Sequence, residues 1–139
     1  MKFIFLFLSL VCFSFAMDGK WLDDYDEAIK VAKKEHKSLY ILITSETCRW
    51  CRKFESITLQ DEAVIDDLTK RYVLVHLDRD YSFLPDFVKV KRVPKHYFVT
   101  NDSKEIYSFL GYWDELDFRS FLVDVDKEYI KKRKKGILK

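Results

Sequence analysis

Two cysteines three residues apart, Cys48-Arg49-Trp50-Cys51, follow closely on the apolar run Leu39-Tyr40-Ile41-Leu42-Ile43. A buried strand that gives way to a helix carrying such a pair leaves few folds open, because that arrangement reads as a redox motif. If Cys48 falls at the start of the helix, its sulfur faces unpaired backbone N–H groups and the positive end of the helix dipole. Both favour thiolate over thiol. Cys51 then lies one turn deeper on the same helical face, within reach of a mixed disulfide formed through Cys48. The spacing therefore suits one attacking sulfur and one resolving sulfur.

The chain opens with Met1-Lys2 and an apolar run from Phe3 to Phe13, the pattern of a secretory signal peptide. Ser14-Phe15-Ala16 supplies small residues where a signal peptidase reads, so cleavage is expected near Ala16 and the product is expected to be periplasmic or secreted. The apolar run is too short for a comfortable membrane span. Loss of residues 1–16 removes Cys12, one of three cysteines, and leaves only Cys48 and Cys51. Two cysteines so close in sequence cannot staple distant parts of a fold, which excludes a disulfide scaffold.

The rest of the 139-residue chain suits a single domain over residues 17–126, followed by a basic helix end or tail over residues 127–139. Residues 127–139 hold seven basic side chains against Glu128, a net of +6, whereas residues 17–126 hold 17 basic against 22 acidic, a net of −5. The near-neutral total hides this asymmetry. The basic end reads first as a solvated helix terminus, with a weak contact to an anionic membrane surface left open. Nothing in the pattern suggests a nucleic-acid partner or an assembly beyond a monomer.

Tyr25, Ala28, Ile29 and Ala32 recur at helical spacing between Asp24 and about His36, with acidic residues early and lysines late. Ser38 to Thr44 reads as a buried strand, Cys48 to about Leu59 as the motif helix, Asp61 to Lys70 as a further helix and Tyr72 to Leu77 as a strand. Pro85 to Lys89 reads as a short helix opened by proline. His96 to Val99 predicts a third strand, and the turn cluster Asn101-Asp102-Ser103-Lys104 a hairpin into Glu105–Phe109. Gly111 breaks that strand, and Asp114 caps a last helix with Phe118, Phe121, Leu122 and Val125 inward. Such an order implies an α/β domain with a central mixed sheet of about four strands and helices on both faces.

These residues resemble the thioredoxin superfamily, from the Trp21-Leu22 lead-in to the last helix. In detail the chain is similar to the periplasmic thioredoxin-like branch, with Lys37-Ser38-Leu39-Tyr40 before the first core strand and Cys51-Arg52-Lys53-Phe54-Glu55 after the second cysteine. The reductase domain at the end of the transmembrane disulfide reductase is similar in the same region. The resemblance implies a thioredoxin-like fold and a thiol:disulfide oxidoreductase, more reductase than oxidase, with no cofactor beyond the Cys48–Cys51 disulfide. It also implies protein dithiols or disulfides as substrates and a membrane disulfide reductase as electron donor.

By the same resemblance Val93-Pro94 is the loop that packs beside the reactive sulfur, with Pro94 cis and shaping a substrate groove. Lys95 departs from the threonine common there, and two readings stay open for it: a charge near Cys48 or against acidic substrates, and a solvent-facing lysine. Arg49 and Trp50 stand where family members tune their potential, and Arg49 brings a permanent positive charge toward Cys48. Classical members bury an aspartate six residues before the first cysteine. Here that position is Leu42, and Glu46 is the nearest carboxylate in sequence, as a stand-in proton acceptor or simply a surface carboxylate.

Among the histidines only His96, two residues past Pro94, merits weighing as a metal ligand with the cysteines, and a lone C-x-x-C is a weak metal signal, so no metal is expected. Three glycines and no nucleotide fingerprint speak against a bound flavin or nicotinamide. Two other functions stay open: a thioredoxin-fold binding or chaperone-like module with a static pair, and a copper or zinc carrier.

Overall fold

The computed structural model describes residues 20–139, so the expected signal peptide over residues 1–16 lies outside the described residues. Five strands and four α-helices follow in the order β1 (Trp21–Leu22), α1 (Tyr25–Glu35), β2 (Ser38–Thr44), α2 (Arg49–Ser56), α3 (Glu62–Arg71), β3 (Tyr72–Asp78), β4 (Lys95–Val99), β5 (Glu105–Leu110) and α4 (Glu115–Lys134). A 3₁₀ turn over Thr58–Gln60 separates α2 from α3. The sheet order is β1-β3-β2-β4-β5, with β1, β2 and β3 parallel and β4 and β5 antiparallel additions.

Alternation along β2 splits the interior into two layers. Tyr40 and Leu42 face α2, α3 and α4 and pack with Phe54, Leu68, Phe98, Phe118 and Leu122. Leu39, Ile41 and Ile43 face α1 and pack with Ala28, Ala32, Val75 and Val99. Because both faces are covered, β2 is buried over its last six residues, which is why it reads as a continuous apolar run.

The expected sheet of about four strands is present with one short strand added, and one expectation, the helix over Pro85 to Lys89, changes. The fifth strand is Trp21–Leu22, whose two residues pair with Leu74 and Val75. Two residues carry no periodicity, so sequence pattern alone cannot separate them from a lead-in. Pro85 to Lys89 forms no helix; it makes one turn closed by Val88 N donating to Pro85 O at 2.9 Å. Five residues add too few hydrogen bonds to offset helix nucleation, and here Leu84, Phe87, Val88 and Val90 all turn onto the α1 face of the sheet.

The C-terminal end of α4 meets the start of β5, at the end of the sheet opposite the motif. Lys132 Nζ donates to the Glu105 and Ile106 carbonyls at 2.9 Å each. After Gly136 the chain turns and buries Leu138 against the larger core layer. No helix among the described residues is long and apolar enough to cross a membrane.

Candidate active site

Strand β2 ends at Thr44, and Ser45, Glu46 and Thr47 carry the chain to the start of α2. Cys48 is the N-cap residue of that helix, with extended backbone, and its Sγ accepts a hydrogen bond from Cys51 N at 3.0 Å. The same bond is made by Asp24, Asp61 and Asp114 at the other three helices, each accepting from the backbone N–H three residues on. A sulfur thus occupies the place where this chain otherwise puts a carboxylate. Cys48 is half-buried, Cys51 is 1% exposed, and the two form a disulfide.

The outer wall of the site is cationic and aromatic. Trp50 is 45% exposed, with the Arg49 guanidinium 4.8 Å and the Lys53 amine 5.4 Å from its ring centre. Lys53 also lies 4.5 Å from the ring centre of Tyr112, whose ring stands 5.9 Å from Trp50. Arg52 turns back over the approach to the motif and donates to Glu46 O at 2.8 Å. Trp50 therefore joins a wall that reaches from α2 to the segment after β5.

The facing wall is the loop before β4. The Val93–Pro94 peptide is cis, Pro94 is buried, and Val93 packs against the α1-side core layer. Ile43 pairs with Lys95, so Pro94 falls one step beyond that pair, level with the end of β2 from which the motif departs. Pro94 O accepts from Gly111 N at 2.8 Å, which ties this loop to the Tyr112 segment. Gly111 has φ +104°, a conformation in which a side chain is strained.

His96 lies beneath these walls, fully buried, between Phe54 of α2 and Phe109 of β5 at 4.9 and 4.5 Å between ring centres. Its Nε2 is 2.9 Å from Gly111 O, which can only accept, so the proton sits on Nε2. Nδ1 then accepts from the Tyr40 hydroxyl at 2.8 Å. Burial lowers the His96 pKa to about 3, despite the bond to Gly111 O and with a small further push from Lys95. Burial likewise raises the Tyr40 hydroxyl well above its ordinary value, with Glu55 adding to the effect. Both ring nitrogens of His96 are engaged within the fold, and neither is turned to a ligand. Among the described residues no group of three or more His, Cys, Asp or Glu side chains is placed to hold a metal.

The sequence-predicted residues divide. Cys48, Cys51, Arg49 and Trp50 come together on α2, and Val93 and Pro94 form the facing loop. Glu46 is exposed beside the motif, engaged only through its backbone carbonyl. Lys95 goes elsewhere: its amine donates to Ser108 Oγ at 3.3 Å and lies over Tyr97, on the sheet face opposite His96, where burial lowers its pKa. Period-two alternation along β4 carries that signal, because Lys95 and Tyr97 share one face and His96 and Phe98 the other.

Leu42 is fully buried and sits in register between His76 on β3 and His96 on β4. From the sequence His76 reads as an ordinary structural histidine within a strand, and its partners went unnoticed. Its Nε2 lies 2.8 Å from Thr44 Oγ1 and 3.2 Å from Glu55 Oε1. Glu55 stands four residues after Cys51 on the same face of α2, and this spacing is the signal that could have found it.

A five-stranded sheet with a C-x-x-C at the N-cap of the helix after the central strand, facing a cis-proline loop, defines the class of thioredoxin-like proteins. The chain belongs to the thioredoxin-like domain family, whose pattern it matches over residues 25–126. Among solved structures it is similar to a thioredoxin from Thermus thermophilus (TM-score 0.62, 21% identity, 76% of this chain and 85% of that one). The C-terminal domain of Neisseria meningitidis DsbD in its oxidised form is similar at TM-score 0.60 and 19% identity, over 71% of this chain and 90% of that one. A DsbH oxidoreductase is similar at TM-score 0.58 and 17% identity, over 84% and 91%. A 70-residue stretch is 34% identical to spermatogenesis-associated protein 20 of Rattus norvegicus, covering 50% of this chain and 9% of that much longer protein.

Proposed function

We propose that this chain is an exported thiol:disulfide oxidoreductase working chiefly as a reductase of protein disulfides. The observation that carries the reading is the half-buried Cys48 sulfur at the N-cap of α2, bonded to a buried Cys51 that can only act after it. In the reduced protein the cap N–H and the helix dipole favour a thiolate at Cys48. That thiolate attacks one sulfur of a substrate disulfide, forming a mixed disulfide and releasing the other substrate sulfur as a thiolate, which takes a proton. Cys51, once deprotonated, attacks Cys48 Sγ, forms the intramolecular disulfide and releases the second substrate thiol. Two electrons pass to the substrate, and a dithiol reductant of the membrane disulfide reductase type returns them.

Similarity in fold to the DsbD C-terminal domain and the DsbH oxidoreductase supports the direction, and the leader-like residues 1–16 support export. The test is trapping. Cys51→Ser should accumulate a mixed disulfide between Cys48 and an oxidised protein substrate, resolved by added dithiothreitol and seen as a mass shift. A Cys51→Ser protein that never forms the adduct, together with undiminished function of Cys48→Ser in vivo, would return the molecule to the binding-module reading.

A further inference from the structure

The body of the chain is acidic, with 17 basic against 22 acidic residues over 17–126, yet the two segments that border the disulfide are not. Thr47 to Phe54 and Val88 to Lys95 together hold seven basic side chains and no carboxylate. Elsewhere on the body Arg71 is paired with Asp126 at 2.6 Å, Arg119 with Asp67 at 2.8 Å and Lys104 with Asp102 at 3.4 Å, while Lys30, Lys33 and Lys34 on α1 form no ion pair among the described residues. What sets the surroundings of the disulfide apart is that cations without a carboxylate partner gather there with few carboxylates between them. Arg49, Arg52, Lys53, Lys91 and Arg92 are exposed, and among the described residues none forms an ion pair with a carboxylate.

These charges are held in place. Arg49 and Lys53 rest on the Trp50 and Tyr112 rings, contacts that fix a cation without cancelling its charge. Arg52 is bonded to a backbone carbonyl. Lys91 and Arg92 lie directly before the Val93–Pro94 peptide, and Pro94 O accepts a hydrogen bond from Gly111 N. Three carboxylates are near in sequence: Glu55 is engaged by His76 on the covered side of α2, while Glu46 and Asp86 are exposed. Lys95 is turned to Ser108 on the other face and takes no part.

Crowded like charges repel one another unless something answers them, and among the described residues no carboxylate pairs with these five. We propose that the partner is an acidic protein segment, with aspartate or glutamate flanking its exchanging cysteine, gripped between the Arg49–Lys53 wall and the Lys91–Arg92 loop as Cys48 attacks. This rests on the exchange reading above and adds the substrate class to it. The chemistry is the two-electron exchange already described; the charges act on encounter and orientation, and so on rate.

Three disulfide peptides of one length, with Glu, Gln or Lys on both sides of the cysteine, separate the ideas. Each is mixed with the reduced protein at about 20 mM and about 500 mM salt, beside oxidised dithiothreitol as a substrate without flanking charge. The expected order of second-order rate constants at low salt is Glu over Gln by roughly tenfold, with Lys slower still, narrowing to within about twofold at high salt. Arg92→Gln and Lys53→Gln should each shrink the Glu-to-Gln ratio by about threefold. Lys131→Gln, at the far end of α4, should leave that ratio unchanged. Equal rates for the three peptides at low salt, or a Glu preference indifferent to salt and to Arg92→Gln, would overturn the substrate class while leaving exchange intact. No exchange with any peptide or with oxidised dithiothreitol would overturn the exchange reading and this one together.

Discussion

Helices α2 and α4 begin with the same hydrogen bond and opposite surroundings. At both, the cap side chain accepts from the N–H three residues on at 3.0 Å: Cys48 Sγ from Cys51 and Asp114 Oδ1 from Asp117. The first turn of α4 carries Glu115 and Asp117, as a helix dipole prefers, whereas that of α2 carries no acid and starts with Arg49. Charge at the start of α4 stabilises the helix. The same place on α2 is arranged against the helix and in favour of an anion on Cys48, which is the signature of a position shaped for chemistry.

Making the two caps alike breaks the comparison most sharply. Cys48→Asp should keep α2 capped and the protein folded, with unaltered far-UV circular dichroism, yet lower exchange with a disulfide substrate by more than about 10³-fold, because the nucleophile is gone. Unfolding of that variant would mean that the disulfide, not the cap, holds α2.

The second effect concerns the floor shared by both helices, since His96 packs against Phe54 of α2 and Phe118 of α4. Its folded pKa of about 3 lies below the ordinary histidine value, so the neutral form is the one the fold stabilises. That stability is complete above pH about 6.5. It falls as the pH drops toward 3, because the unfolded chain then binds a proton that the folded chain refuses. The slope from this residue is at most about 1.4 kcal/mol per pH unit. Chemical denaturation between pH 7.5 and 4.5 should show it, and His96→Phe should flatten it; a wild-type profile level across that range would contradict a buried neutral histidine.

Much of this was legible in the sequence and some was not. β2, β3 and the core-facing stripe of α4 follow from apolar periodicity, and the Asp114 cap and Gly111 break follow from local chemistry that a neighbouring residue cannot override. The helix carrying the motif is shorter than its pattern suggests, ending at Ser56 before a 3₁₀ turn. What stayed hidden depends on register between strands distant in sequence. Leu42 sits between two histidines and His76 reaches Glu55, both set by pairings that no local pattern contains. The wall formed by Trp50, Lys53 and Tyr112 likewise joins residues about sixty positions apart in sequence.

Two smaller effects sharpen the contrast between the helix starts. Asp114→Ala should cost about 1 kcal/mol of stability with the exchange rate unchanged. Arg49→Glu should do the reverse, slowing exchange at pH 7 by about threefold through a smaller thiolate fraction, while the α2 start, relieved of a cation, loses no stability. A drop in stability for Arg49→Glu would mean that its contact with Trp50 outweighs the dipole.

The most direct test of a working pair at the N-cap of α2 is its equilibrium reduction potential, from a thiol redox series with mass-resolved alkylation of Cys48 and Cys51. The account predicts reversible two-electron reduction between about −270 and −120 mV, with the reductase reading toward the lower part of that range, near −270 to −200 mV. A pair that stays oxidised below about −300 mV would be a structural disulfide, and the account would be wrong.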